Sequence, residues 1–277
     1  MKNTFKNLWL VALSLCVFAV SCDDDDSSTP DQETINAEEL VLAAQTDEID
    51  DASYNIIDNA YIENVLDTRA ATLNSFFPEC ALVTVTPNGD GSGSIVVNFG
   101  EECTLNNGAL VSGQVNLSYS PVQNESREIV YQYQDFTYNE NQIMGSGTVV
   151  RTFENANGNP ESVLNSDITI DFAASDVSAA RILNRTREWV EGVGSGTWTD
   201  NAFLVSGTWN TSFTNGTSRD GEVITALRRE ATCSFFVSGT LAITNQNGVS
   251  GLLDYGDGSC DNIAVVTIEA QEFTIML

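Results

Sequence analysis

Histidine is absent from the chain, and lysine occurs only twice, at Lys2 and Lys6. The other nine of the 11 basic residues are arginines, and they face 39 acids. Without histidine there is no Ser-His-Asp or Cys-His arrangement and no zinc-hydrolase motif. No GxxxxGK[ST] loop occurs, and no GxGxxG opens a helix after a strand, so the usual phosphate cradles are missing. A formal net charge of −28 excludes nucleic acid as a partner, because phosphate binding needs clustered cations. The longest apolar stretch, Leu8 to Val20, is only about 13 residues, too short to span a bilayer as a helix.

That stretch, with Lys2 and Lys6 before it, has the make-up of a secretory leader covering residues 1–21. It ends Ala19-Val20-Ser21-Cys22, which looks like a bacterial lipobox with Ala19 in the place of the usual leucine. Cys22 is the expected lipidation site and the membrane its expected partner. Asp23 to Asp26 follow at once, and four like charges beside an anchor stay solvated and extended. Residues 22–35 read as an acidic, flexible tether. By resemblance, an acidic run just after the lipidated cysteine looks like a surface-export signal of Bacteroidetes lipoproteins. The expected location is the outer membrane, facing outward; the alternative is its periplasmic leaflet.

Of six cysteines, Cys16 leaves with the leader and Cys22 takes the lipid; Cys80, Cys103, Cys233 and Cys260 remain. In an exported protein an even number points to disulfides. Each pair brackets a strand, an Asn-Gly turn and a returning strand: Cys80-ALVTVT-PNGDG-SIVVNFG-Cys103 and Cys233-SFFVSGTLAIT-NQNG-VSGLLDYG-Cys260. A hairpin brings such ends together, which predicts Cys80–Cys103 and Cys233–Cys260. Each loop is worth on the order of 3 kcal/mol in the chain-entropy model. The alternative, a metal site, lacks both CxxC and histidine.

Residues 36–75 are rich in Ala, Leu, Glu and Asp, with Ile49, Ile56, Ala60, Ile62 and Val65 at roughly helical spacing. They read as one or two acidic helices forming a stalk that lies on the domain. Residues 76–277 are short runs of Val, Ile, Thr and aromatics separated by Asn-Gly turns. The expected fold is mainly β: about a dozen strands in an antiparallel meander, as a curved sheet, an open barrel or a sandwich. Two repeats bear on shape. Ser-Gly-x-apolar recurs at Ser112, Ser146, Ser195, Ser206 and Ser238, and glycine inside strands either permits bulges that curl a sheet or marks strand starts. Asn98-Phe99-Gly100-Glu101-Glu102-Cys103 is echoed by Asp254-Tyr255-Gly256-Asp257-Gly258-Ser259-Cys260. These blocks, FPECALVTVT…VVNFGEEC and TCSFFVSGTLAIT…LLDYGDGSCDNIAVVTI, resemble a family of β-rich flavobacterial (Bacteroidetes) lipoproteins over roughly residues 76–277. The resemblance implies fold and location and carries no activity.

Candidate chemistry is sparse. Asp254, Asp257 and Asp261 crowd DYGDGSCD, where a hard cation such as calcium finds oxygens; a tight Asp/Gly turn explains the same residues. Trp189, Trp198 and Trp209 fall on three successive predicted strands, either stacking on a glycan or filling the core. Arg185 and Arg187 share one face of RILNRTREW, either binding an anionic ligand or pairing with acids across strands. The expected function is non-catalytic, structural or ligand-binding, with a glycan or envelope protein as partner. The alternatives are an accessory subunit of an envelope complex and a carboxylate-based hydrolase.

Overall fold

The computed structural model describes residues 37–66 and 74–277. The leader, Cys22 and the acidic tether lie outside the described residues. The described residues begin with a helix α1 (Ala37–Tyr61), which passes into a single π turn at Ile62–Leu66. Thirteen strands follow. They are β1 (Leu82–Pro87), β2 (Gly93–Thr104), β3 (Leu110–Tyr119), β4 (Ser126–Tyr138) and β5 (Asn141–Thr152). Next come β6 (Glu161–Asp171), β7 (Ser178–Glu191), β8 (Ala202–Phe213) and β9 (Ser218–Glu230). The last four are β10 (Ser238–Asn245), β11 (Ser250–Asp257), β12 (Ile263–Ile268) and β13 (Gln271–Met276). They form one sheet in sequence order, every neighbouring pair antiparallel. This is the meander that short turns between strands favour, and it is an open curved sheet rather than a sandwich.

The period of two is clear along β7. Ala179, Arg181, Leu183, Arg185, Arg187 and Trp189 are buried, while Ala180, Ile182 and Asn184 face outward exposed. The buried face of the sheet curls around α1. Ser53 meets Tyr133 of β4, Asp58 meets Arg151 of β5, Asp47 meets Arg181 of β7, and Asp51 meets Arg229 of β9. One helix touching four strands so far apart in the ladder requires a tightly curved sheet. The helix and the sheet belong to one compact unit. The stalk read from the sequence is therefore corrected: α1 is the middle of the core. Its polar side chains made it look like a surface helix. In fact Ala43, Ala44, Ile49, Ala52, Tyr54, Ile56, Ile57, Ala60 and Tyr61 are buried around its circumference, as expected of a helix with protein on nearly every side. Its small polar residues are satisfied locally, with Thr46 Oγ1 donating to the Leu42 carbonyl at 2.7 Å and Ser53 Oγ to that of Asp50 at 2.9 Å.

Three copies of the Ser-Gly repeat contribute bulges that bend the sheet. The ladders shift register beside Gly113, Gly207 and Gly239, each a bulge inside the sheet. Gly207 has φ of 130°, a region that side chains avoid. Gly147 sits in regular pairing opposite Tyr131, and Gly196 lies in the loop before a short 3₁₀ turn (Trp198–Asp200). A second device is glycine under an aromatic ring. Gly221 pairs with Trp209, and a Cβ at Gly221 would lie 2.0 Å from the indole. The missing side chain lets the ring lie flat across the neighbouring strand, which pins register as well as shape.

Both disulfides form as the hairpin reading expects, Cys80–Cys103 and Cys233–Cys260, each with Cα atoms 5.6 Å apart. They staple the β1–β2 and β10–β11 hairpins. The longer repeat is a shared local structure. Asn98 Oδ1 accepts from Gly100 N–H at 2.8 Å, Asp254 Oδ1 accepts from Gly256 N–H at 2.9 Å, and Phe99 and Tyr255 between them are buried. The second copy does not end the sheet, because the β12–β13 hairpin extends it.

Gly221→Ala is expected to lower the unfolding free energy by roughly 1–3 kcal/mol through overpacking against the Trp209 indole. Urea titration followed by tryptophan fluorescence measures it. A loss below about 0.5 kcal/mol would mean that the ring–glycine fit does not constrain the sheet.

Candidate functional site

Of the residues singled out for chemistry, Arg185 and Arg187 lie between α1 and the inner face of β5–β9. Helix geometry puts Asp47, Asp50, Asp51 and Asp58 at spacings of three, four and seven residues, along one stripe. Strand geometry puts Arg181, Arg185 and Arg187 on the inner face of β7. The two rows interlock. Arg181 pairs with Asp47 and reaches Asp50 at 3.4 Å through Nε. Arg185 lies 3.2 Å from Asp50, 3.5 Å from Asp47 and 3.9 Å from Asp51. Arg187 lies 3.7 Å from Asp51 and donates to Asn55 Oδ1 at 2.5 Å. Arg229 of β9 closes on Asp51 at 3.2 Å, and Arg151 of β5 on Asp58 at 2.5 Å.

The arginine cluster is thus a buried ion-pair network, and its acidic partners are on the helix. That corrects both readings of Arg185 and Arg187. They are closed to an anionic ligand from solution, and their partners do not come from adjacent strands. Among the described residues seven arginines are buried: Arg127, Arg151, Arg181, Arg185, Arg187, Arg219 and Arg229. Arg228 is the more exposed one, held by Glu191 at 2.7 Å and Glu230 at 3.0 Å. A chain poor in cations has placed nearly all of its described cations inside, which leaves the surface still more acidic than composition suggests.

The tryptophans belong to the same interior. Trp189, Trp198 and Trp209 are 5%, 7% and 5% exposed. Trp209 caps the Arg181 guanidinium, which lies 4.3 Å from its ring centroid, and Trp189 stacks on Phe203 with centroids 6.0 Å apart. Trp198 is not on a strand. It sits in the 3₁₀ turn and packs edge-on against Phe76 at 5.4 Å. A ring that stacks on a sugar must present a face to solvent, so these three residues do not form a glycan platform. They cap guanidinium groups and fill the core.

The acidic turn resolves likewise. Asp254, Asp257 and Asp261 each turn a carboxylate oxygen back to a backbone N–H two residues on, those of Gly256, Ser259 and Ile263. Three separate Asx turns replace the calcium cluster that the spacing suggested, and no group of three or more His, Cys, Asp or Glu side chains fit to hold a metal occurs among the described residues.

Burial sets the proton affinities here. Asp50 is raised above the ordinary carboxylate range, chiefly by burial and partly offset by Arg185 and Arg181. Glu48, two residues earlier, is pushed up to about 7 by burial; Arg229 lowers it and Asp51 raises it. Tyr54 and Tyr133 are raised by burial. No family model, curated protein or solved structure matches the chain. The outer face carries a shallow groove of about 790 Å³ across β4–β10, where Asn184 donates to Asn165 at 2.6 Å and Asn210 to Asp220 at 2.8 Å.

Sequence reasoning missed the acids of α1 as partners. The stripe Asp47, Asp50, Asp51, Asp58 was readable at helical spacing, and its match is the period-two row Arg181, Arg185, Arg187 on β7.

Two outcomes are expected. Arg181→Met leaves Asp47 buried with its strongest partner gone and costs roughly 3–5 kcal/mol, whereas Arg181→Met with Asp47→Leu recovers much of that loss, as chemical denaturation of the two variants will show. Glu48 has a folded pKa raised above its unfolded value of about 4.5, so the folded state binds the extra proton between pH 4.5 and 7. Stability from this group is full below pH 4.5 and is lost as pH rises through about 7. Glu48→Gln should therefore gain stability on the parent as pH rises across that window, read from midpoints at pH 4, 6 and 8.

Proposed function

We propose that this is a lipid-anchored envelope protein, held through Cys22 and displayed outward from the outer membrane, whose β domain has a non-catalytic structural or ligand-binding role. The observation that carries the reading is the sequence Leu8–Val20 followed by Ser21-Cys22 and four aspartates, which suits export, lipidation and a solvated spacer. The resemblance of the paired cysteine hairpins to flavobacterial lipoproteins supports it. The fold is consistent with it. Two disulfides suit an oxidising compartment. The hollow that a curved sheet would otherwise offer is filled by α1, which leaves the outer face and the ends of the sheet for encounters.

A second reading, an accessory subunit of an envelope complex, is favoured by the sheet edges. β1 and β13 end the ladder, and Leu82, Phe273 and Met276 stand 65%, 47% and 69% exposed along them. Unpaired strand edges with apolar side chains are templates for a partner.

Protease shaving of intact cells, with β-domain peptides followed by mass spectrometry, tests display. The reading expects their loss from intact cells and a Cys22→Ser variant that no longer fractionates with membrane. Protection until the outer membrane is opened would contradict outward display and favour the accessory role.

A further inference from the structure

A second cavity, of about 970 Å³, opens beside the first turns of α1. Its walls are mostly apolar, with Val41, Leu42 and Ile49 from the helix, Phe172 from the end of β6, Phe235 before β10, and Leu277. Among the described lining residues, Glu48 and Glu140 carry the side-chain carboxyls and no side chain is cationic; the other polar side chains are neutral. Glu48 is partly buried and forms no ion pair within 4 Å and no hydrogen bond among the described residues. Asp51, its neighbour on the helix, instead takes Arg229 at 3.2 Å. A mostly apolar cavity of this size with a few polar groups is the usual form of a small-molecule site.

We propose that this cavity binds an amphiphilic cation, an apolar body carrying an amine, with the ammonium group on Glu48 and the hydrocarbon against Leu42, Ile49, Phe172 and Phe235. Charge selects the class. Both side-chain carboxyls of the described lining and the net charge of the chain are negative, so an anionic amphiphile such as a fatty acid meets repulsion at the mouth and has no partner among the described lining residues. A neutral amphiphile satisfies the apolar wall and leaves Glu48 unpaired. The charged and titratable groups that act on Glu48 are Arg229 of β9, Asp51 of α1, Tyr138 of β4 and Tyr255 of β11. An incoming ammonium competes for Glu48 with none of them by direct contact. The inference does not depend on lipidation or on the location of the protein.

The test uses the mature chain with Cys22→Ser, free of detergent, titrated calorimetrically at pH 8 with dodecylamine, dodecanol and dodecanoate below their micelle concentrations. The expected result is saturable one-to-one binding of dodecylamine that persists in 0.15 M salt, with dodecanoate at least about tenfold weaker, the worth of one charge-assisted hydrogen bond. Glu48→Gln should lower amine affinity by about tenfold and leave dodecanol unchanged. Ala173→Trp, at the exposed rim, should weaken all three while the circular dichroism stays that of the parent; it keeps the test open if Glu48→Gln does not fold. Equal affinity for dodecanoate and dodecylamine, amine binding indifferent to both substitutions, or no saturable binding would each overturn the proposal.

Discussion

The structure depends on holding a charged helix inside a curved sheet. Asp47, Asp50, Asp51 and Asp58 lie in the core with Arg151, Arg181, Arg185, Arg187 and Arg229 against them. Taking such groups out of water costs several kcal/mol each, and their attraction compensates only where geometry is good. The network is therefore weak as a source of net stability and strong as a constraint. A shift of α1 by one turn would set these charges beside the wrong neighbours, and a slip of β7 by one residue would turn Arg181, Arg185 and Arg187 to the outer face and strand Asp47 and Asp50. An apolar helix in the same place would tolerate such slips. Arginine suits this task better than lysine, because its planar fork can bridge two aspartates at once, as Arg185 does.

Curvature is the condition for that contact. A flat sheet would expose the inner arginines, and α1 would reach only two or three strands. Bulges at Gly113, Gly207 and Gly239 bend the strands, and Trp209 lying across Gly221 draws neighbouring strands inward. The same indole then caps Arg181. One residue thus links the shape of the sheet to the charge network of the core, which explains why the tryptophans are inside. The outer surface receives what remains, mostly acids and short polar side chains, with Arg228 already committed to Glu191 and Glu230.

Much of the fold was legible in the sequence, for local reasons. Alternation and Asn-Gly turns specify hairpins, so the meander and the two disulfides follow from residues close in the chain. The Ser-Gly repeat left bulge and strand start open: bulges occur at Gly113, Gly207 and Gly239, Gly147 sits in regular pairing, and at Gly196 the same tetrapeptide enters a loop. The site was much less legible. The arginine row on β7 was visible, yet its partners lie some 130 residues earlier, at Asp47 and Asn55. Pairing at that distance is decided by sheet curvature, which no local pattern reports. The helix was misjudged for a related reason: four aspartates on one face read as a solvated surface unless the facing arginines are known. The tryptophans were ambiguous because alternation does not say which face of a strand is enclosed.

The most direct measurement of the central claim is amide hydrogen exchange read by mass spectrometry, comparing peptides from α1 with peptides from β4 to β8. If the ion pairs lock the helix into the sheet, residues 43–61 exchange only when the whole domain unfolds, with the same opening free energy as β7. If α1 amides exchange orders of magnitude faster than those of β7, the helix is a detachable cover, and the account of a charge-locked core is wrong.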